Sequence, residues 1–296
     1  MKTFDVMKNY KLWFIFSGAV ITVGIVMMLF SGLNLGIDFT GGTMMQIDLG
    51  KEVTVNEVSE AIAEFDLNPD IVHSGADRTE VIIKTQASLD NDMRSDVFET
   101  LKKAYNLEDS ALKGTDQYGP SMGKEIRNRA IISILIASVV MLLYISIRFE
   151  TVFGVSAIIS LIHDVLFLLS IYAIFGITIN SSFIAAILTI VGYSINDTIV
   201  VFDRVRENVK REKGKPHFEI INISVNQTLT RTINTSMTTL VVIAALYFFG
   251  VSSIKAFALP LLIGITVGTY SSVFIASPVW ALVRNYLGKR HSYAGK

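Results

Sequence analysis

Six stretches of this chain are apolar over about the length, roughly 20 residues, that a helix needs to cross a hydrocarbon core of about 30 Å. They run over 12–33, 130–147, 152–175, 182–202, 235–249 and 256–283, the fifth being too short as counted. With 51% apolar and 18% charged residues and a mean hydropathy of +0.50, the 296-residue chain is too apolar for an ordinary soluble protein. Lys2, Lys8 and Lys11 precede the first run as in a signal peptide. That run, however, is about twice the usual length and no small-residue cleavage site follows, so it is read as an uncleaved anchor. The sequence has no cysteine, which excludes disulfides, a thiol nucleophile and Cys-based metal sites.

The net charge of zero conceals an asymmetry. Residues 34–129 hold 18 acidic and 10 basic side chains, a net −8, and the remainder carries the balancing +8. The bases of the remainder cluster at the start, at Arg148, over 204–215 and over 284–296. A six-span path with both termini inside leaves these ends in the cytoplasm, as the positive-inside rule requires. Arg127 and Arg129, at the outer end of the second span, run mildly against it. The expected layout is therefore a cytoplasmic start and first span over 1–33, an extracytoplasmic domain over 34–126, spans two to six over 127–284 with a cytoplasmic loop at 203–226, and a cytoplasmic tail at 285–296.

Between the first two spans the pattern changes to short alternating strands and amphipathic helices. Strands are expected at 43–49, 70–74, 80–85 and 111–118. The first helix opens with a capping-box pair, Thr54 and Glu57, and offers Val55, Val58, Ile62 and Phe65 on one face. The second, over 90–105, offers Met93, Val97, Leu101 and Ala104. The order βαββαβ predicts a ferredoxin-like α+β domain, two helices on one face of an antiparallel sheet. It contains no catalytic constellation, and its lone His73 is read as a surface residue.

Ionisable groups inside the hydrocarbon cost about 2.5–3.5 kcal/mol each on insertion scales, so each needs a partner or a task. His163 and Asp164 lie near the middle of the third span, and Asn196 and Asp197 lie in the fourth. The fifth span reaches a workable length only if Arg231 is drawn inside, where Thr228, Arg231, Thr235 and Thr238 share one face. Arg231 opposite Asp197 would satisfy both charges, and an acid with a movable basic neighbour can bind and release a proton. A static seam that only locks helices together competes with that reading at both sites. Gly264 and Gly268 form a GxxxG pair suited to close helix packing, and Pro260 and Pro278 are expected to bend the sixth span near its ends. Residues 217–229 form an amphipathic stretch that could lie along the inner membrane surface.

Several long motifs in order resemble the SecF subunits of the bacterial protein-export machinery, relatives of the resistance-nodulation-division transporters. They are GIDFTGGT at 36–43, DQYGPSMGKE at 116–125, the pair at 163–164, VGYSINDTIVVFDRVREN at 191–208, NQTLTRTINTS at 226–236 and GTYSSVFIASP at 268–278. The resemblance covers nearly the whole chain. It implies half of a transporter-type bundle in the cell inner membrane that pairs with SecD about a pseudo-two-fold axis. It further implies a place beside the SecYEG channel, with the exported preprotein and membrane lipid as the other partners and no nucleic acid. No cofactor is implied, only a coupling ion, H⁺ or Na⁺. Asp197 and Arg231 fall on the positions the family uses for proton coupling. Gly36, Asp38, Gly41 and Gly42 belong to its signature, read as a Gly-rich turn in which Thr40 and Thr43 saturate backbone groups, or as a hinge that transmits helix motion. Two other readings stay open: an exporter half for a small solute or lipid, and a passive scaffold.

Overall fold

The computed structural model describes residues 5–74 and 77–294; Lys2 and the last two residues of the expected tail lie outside them. Helix α1 (Tyr10–Ser31) is followed by the single turn α2 (Ile37–Thr40), then β1 (Gly42–Asp48), α3 (Val55–Ala61), β2 (Asp70–Ser74), β3 (Glu80–Thr85), α4 (Asn91–Tyr105) and β4 (Leu112–Tyr118). The chain then re-enters the bundle as α5 (Pro120–Arg148), α6 (Thr151–Phe175), α7 (Ser181–Arg211), α8 (His217–Phe249), α9 (Ser252–Ser271) and α10 (Ser277–Ala294). A single π-helical turn, Ser272–Ala276, joins α9 to α10, so that together they make the sixth span.

In the outer domain the strands form one antiparallel sheet in the order β2-β3-β1-β4, with Thr43 opposite Thr85 and Ile71 opposite Ile83. Alternation along β1 and β3 sends Met45, Ile47, Val81 and Ile83 to one face, where they bury against Val58 and Ile62 on the α3 side and Val97 and Leu101 on α4. This is the expected βαββαβ arrangement. The buried face of α4 includes Phe98 in place of the expected Met93 and Ala104, because the helix meets the sheet a step further round its axis; Met93 is left exposed.

The start of α3 is fixed by the expected capping box. Glu57 N–H donates to Thr54 Oγ1 (3.3 Å), while the Glu57 carboxylate accepts from Thr54 N–H (2.8 Å) and Thr54 Oγ1 (3.0 Å). The Thr54 backbone bond, then its hydroxyl, hold the Glu57 carboxyl below its ordinary value of 4.5. That stabilisation is complete above the unfolded-state value and is lost as pH falls through the lower folded value. Thr54→Ala is expected to lower stability by about 1 kcal/mol at neutral pH and to reduce the acid limb of the domain's pH–stability curve only in part, since the residue-54 N–H still bonds the Glu57 carboxylate, as read by thermal melts of the full chain.

Within the bundle, α6, α7 and the sixth span carry most of the buried positions, whereas α1, α5 and α8 turn most of their apolar side chains outward. Leu29, Phe30 and Ile147 are among those that face out. Outward apolar faces suit lipid or a second bundle, since neither requires a polar surface. The closest crossings use small residues: a Cβ on Gly24 of α1 would lie 2.1 Å from the Ser170 Cβ of α6, and one on Gly264 of α9 would lie 2.2 Å from the Ile190 Cδ1 of α7. Near the cytoplasmic end Phe153 stacks on Trp280 at 5.1 Å and meets Phe202 at 5.0 Å.

Two sequence expectations change here. The 217–229 stretch is not a separate surface helix: it is continuous with the fifth span in the 33-residue α8. The expected loop at 203–226 is helical except near 212–216, and its bases are largely neutralised on the spot. Arg206 meets Asp203 (2.9 Å), Arg204 and Arg211 meet Glu207 (2.5 and 3.0 Å), and Lys215 meets Glu212 and Glu219 (3.2 and 2.9 Å).

Candidate functional site

Asp197 is buried on the inward side of α7, and its Oδ2 accepts from Ser236 Oγ of α8 (3.2 Å) and Thr269 Oγ1 of α9 (3.3 Å). Those two hydroxyls meet each other at 2.6 Å. With a rise of 1.5 Å per residue, Asp197 lies about 24 Å from the outer end of α7 and Arg231 about 27 Å from the outer end of α8. Both depths fall within a core of about 30 Å. The two residues do not meet: Asp197 reaches Ser236 of α8, and Arg231 lies five residues, about 7.5 Å, further toward the cytoplasmic end of that helix. Among the described residues no ion pair joins them, and Arg231 is on the exposed side of α8. This corrects the expectation that Arg231 sits opposite Asp197 in the isolated chain.

The reason lies in the rotation of α8. Its buried polar row is Ser224, Thr228, Thr232 and Ser236, spaced by four. Arg231 precedes Ser236 by five residues, which places it about 140° round the helix. Of the expected stripe only Thr228 is buried, while Arg231, Thr235 and Thr238 face outward. Asn196, next to Asp197 but 100° away on the helix, is likewise exposed. Tyr193 ties the two helices together, its hydroxyl lying within hydrogen-bond distance of both the Thr235 carbonyl (2.9 Å) and Thr239 Oγ1 (3.1 Å) and having one proton to share between them.

His163 and Asp164 form a second buried cluster. His163 Nδ1 faces Asp164 Oδ1 at 3.0 Å, and Nε2 meets Ser17 Oγ of α1 at 2.9 Å. Ser194 Oγ of α7 donates to Asp164 Oδ2 at 2.5 Å. Four helices thus converge, because Ser17 also meets the Tyr270 hydroxyl of α9 at 3.1 Å. The π turn borders both clusters: Ser272 Oγ meets Thr198 Oγ1 at 2.8 Å, and the neighbouring Ser271 accepts from Ser160 at 3.0 Å. π turns are frequent at functional sites. Pro278, which brings no N–H and a ring into the preceding turn, gives this one a local cause. Gly268 brings α9 against this region, since a Cβ there would lie 2.9 Å from the Ser194 Cβ.

The signature segment clasps the outer ends of three spans. Gly36 N–H donates to the Ile179 carbonyl (2.8 Å), Ile179 N–H donates to Asn34 O (2.8 Å), and Asp38 Oδ2 accepts from Ser181 N–H (2.8 Å) at the start of α7. A carboxylate at a helix N-terminus meets both free N–H groups and the positive end of the dipole. Gly123 of α5 packs so closely on α2 that a Cβ would lie 2.6 Å from the Phe39 carbonyl oxygen. The Thr40 hydroxyl shares its one proton between the Gly41 and Gly36 carbonyls (2.9 and 3.2 Å). Thr43 donates to Ala87 O (3.1 Å) and accepts from Leu89 N–H (3.0 Å). Gly41 and Gly42 turn the chain into β1 at φ of 82° and 142°. A further tie comes from Ser252 of α9, whose hydroxyl donates to the His73 carbonyl on the edge strand β2, while His73 Nε2 meets Val53 O at 2.5 Å.

Ser17, Ser194, Ser236, Thr269 and Tyr270 were not singled out from the sequence. Hydroxyls are common in spanning helices, and only the helix packing shows which of them face a carboxylate.

Comparison with known proteins bears on the same regions. The family described as "Protein export membrane protein SecD/SecF, C-terminal" matches residues 97–286, and the "SecD/SecF GG Motif" matches 26–53. The protein translocase subunit SecF of Desulfurispirillum indicum is 41% identical over 269 residues, covering 88% of this chain and 85% of that protein. That of Thermobaculum terrenum is 40% identical over 290 residues and 92% of each chain is covered. The protein translocase subunit SecDF of Bacillus subtilis is 37% identical; 93% of this chain matches 37% of it. The crystal structure of SecDF, a translocon-associated membrane protein from Thermus thermophilus, superposes with a TM-score of 0.81 at 35% identity, over 96% of this chain and 39% of that one.

Proposed function

We propose a proton-coupled mechanism for this chain, which belongs to the SecD/SecF family of protein-export membrane proteins as a SecF-type auxiliary subunit of the Sec translocase. It works with a SecD-type partner: in the SecDF relatives its counterpart makes up about two fifths of a single longer chain. The observation that carries the mechanism is the setting of Asp197, a buried carboxyl whose partners among the described residues are hydroxyls of α8 and α9, with Arg231 facing outward about a turn and a half further along α8. In the arrangement described here Asp197 is satisfied without a cation. In a second arrangement, reached when α8 turns relative to α7 against the partner bundle, Arg231 approaches Asp197 and favours its charged form. Asn196 lies on the surface that this partner bundle would cover, and His163 with Asp164 forms the inner part of the same polar region.

Movement of α7 reaches the outer domain through its N-terminus, where Asp38 and the segment from Asn34 to Gly42 are bonded. On this reading residues 34–126 act as one extracytoplasmic unit that pulls on, or prevents the backward slip of, a preprotein leaving the SecYEG channel. The coupling ion is H⁺, the choice favoured by a carboxyl whose described contacts are two hydroxyls rather than a cage of oxygen ligands. The test is export in vesicles containing this chain, its SecD-type partner and the channel, with ΔpH and ΔpNa imposed separately. Stimulation by ΔpH alone is expected. Export indifferent to both gradients would remove the proposal.

A further inference from the structure

The hydrogen bonds around His163 have a direction that can be worked out from one end. The Trp13 carbonyl can only accept, so the Tyr270 hydroxyl donates to it (3.0 Å). With its one proton committed, Tyr270 accepts from Ser17 (3.1 Å). Ser17 in turn accepts from His163, so Nε2 carries a hydrogen (2.9 Å). On the far side of the ring Nδ1 faces Asp164 Oδ1 at 3.0 Å, a contact that requires a hydrogen between them. Asp164 Oδ2 already accepts from Ser194. A neutral imidazole has only one N–H. The pair therefore holds one proton more than a neutral histidine and a carboxylate would, and is neutral as a whole, as its burial among α1, α6, α7 and α9 favours.

Loss of that proton leaves one hydrogen for the pair. It belongs between Nδ1 and Oδ1, where otherwise a lone pair would face a carboxylate. Nε2 then becomes an acceptor, and Ser17 must turn its hydroxyl toward it. Tyr270 is left with one proton for two acceptors, Ser17 Oγ and the Trp13 carbonyl. One of the two hydrogen bonds between α1 and α9 is lost.

We infer that His163 and Asp164 form a second proton-responsive site, which acts on α1 by reversing the hydroxyl chain through Ser17 and Tyr270. The consequence falls on α1 because Ser17 and Gly24 are its only buried residues among those described, so this contact is one of its two buried points on the bundle. Helix α1 runs directly into the signature segment and β1. The titratable groups near the chain are few: the pair itself on α6, Tyr270 on α9, and Asp197 on α7, three residues beyond Ser194; α1 has none beyond Tyr10 and Lys11 at its inner end. The proton count rests on the hydrogen bonds alone, while its place in the working cycle rests on the proton coupling proposed above.

Trp13 is a built-in reporter, with its ring 4.4 Å from Phe274 and 6.4 Å from Tyr270, and the chain has only two tryptophans. The experiment is a pH titration of Trp13 emission in the full chain carrying Trp280→Phe, in phosphatidylcholine vesicles with equal pH on both sides. The difference between wild-type and Trp13→Phe chains supplies the same signal should Trp280→Phe not fold. A single step in emission is expected. Asp164→Asn should abolish it, because the amide supplies the N–H to Nδ1 and the acceptor to Ser194 and so fixes the proton-loaded direction. Ser17→Ala, which leaves the pair intact, should abolish it as well and stands in if Asp164→Asn does not fold. Asp197→Asn should retain it. The inference is overturned by the absence of a step in the wild type, by its persistence in Asp164→Asn or Ser17→Ala, or by its loss in Asp197→Asn. Failure of proton-driven export alone would leave the emission step untouched and would count only against the coupling mechanism.

Discussion

Asp197→Asn is expected to reduce proton-stimulated export to the level seen without a gradient, in a protein that still folds. The amide keeps an oxygen that can accept from Ser236 and Thr269, so the contacts that join α7 to α8 and α9 survive. What disappears is the ability to hold the site charged in one arrangement and neutral in the other. One proton crossing 100 mV releases about 2.3 kcal/mol, enough to bias a two-state element by roughly 40-fold. With no titratable group at this position that bias has no point of application. Arg231→Gln should give the same loss for a different reason. Arg231 is exposed in the isolated chain and makes no ion pair among the described residues, so its removal leaves the fold of the subunit unchanged. The measurement is gradient-driven export in vesicles containing the partner and the channel, alongside the melting temperature of each variant. Wild-type stimulation in both variants would instead identify the chain as a passive scaffold.

The contrast between Asp197 and Arg231 shows where sequence reasoning succeeds and where it stops. That Arg231 belongs to the fifth helix was legible, because the apolar run after it is too short to span; α8 does run unbroken through it. Which way Arg231 points was not legible. On a 3.6-residue helix both the row through Arg231 and the row through Thr232 and Ser236 are polar, and only contact with α7 and α9 decides which faces inward. The same limit applies to α4, where Met93 and Phe98 compete for one apolar stripe. The strands were legible to within a residue or so, since their alternation is local and turn residues bound them. The π turn at Ser272–Ala276 has no periodic signature, and Pro278, placed beside it, was read as a simple bend. In the signature segment the roles of Thr40 and Thr43 followed from residue type, but the reach of Asp38 to Ser181 spans 143 positions and no local pattern encodes it.

Gly42→Ala is expected to be the most damaging single-methyl addition in the outer domain, and two costs combine to make it so. The backbone is at φ 142°, a region that side-chain-bearing residues rarely adopt, and such strain costs on the order of 1–3 kcal/mol. The added methyl would also lie 2.1 Å from the Thr85 carbonyl oxygen and 2.9 Å from the Ile37 Cγ2. A flexible side chain could yield, but the Thr85 carbonyl is part of β3, which is paired with β1 from Thr43 onward. Relief therefore requires β1 to separate from β3 at the point where α2 enters the sheet. Gly50→Ala is the appropriate control: Gly50 also has positive φ, 65°, but no atom lies within 4 Å of its Cβ position, so only the backbone strain is added. The expected result is a small drop in melting temperature for Gly50→Ala and, for Gly42→Ala, an outer domain that proteases digest in intact vesicles. Equal protease resistance in the two variants would show that β1 can shift at its start. The clasp between the spans and the sheet would then be too loose to carry the motion of α7 outward, and that step of the mechanism would have to pass through Ser252 and β2 instead.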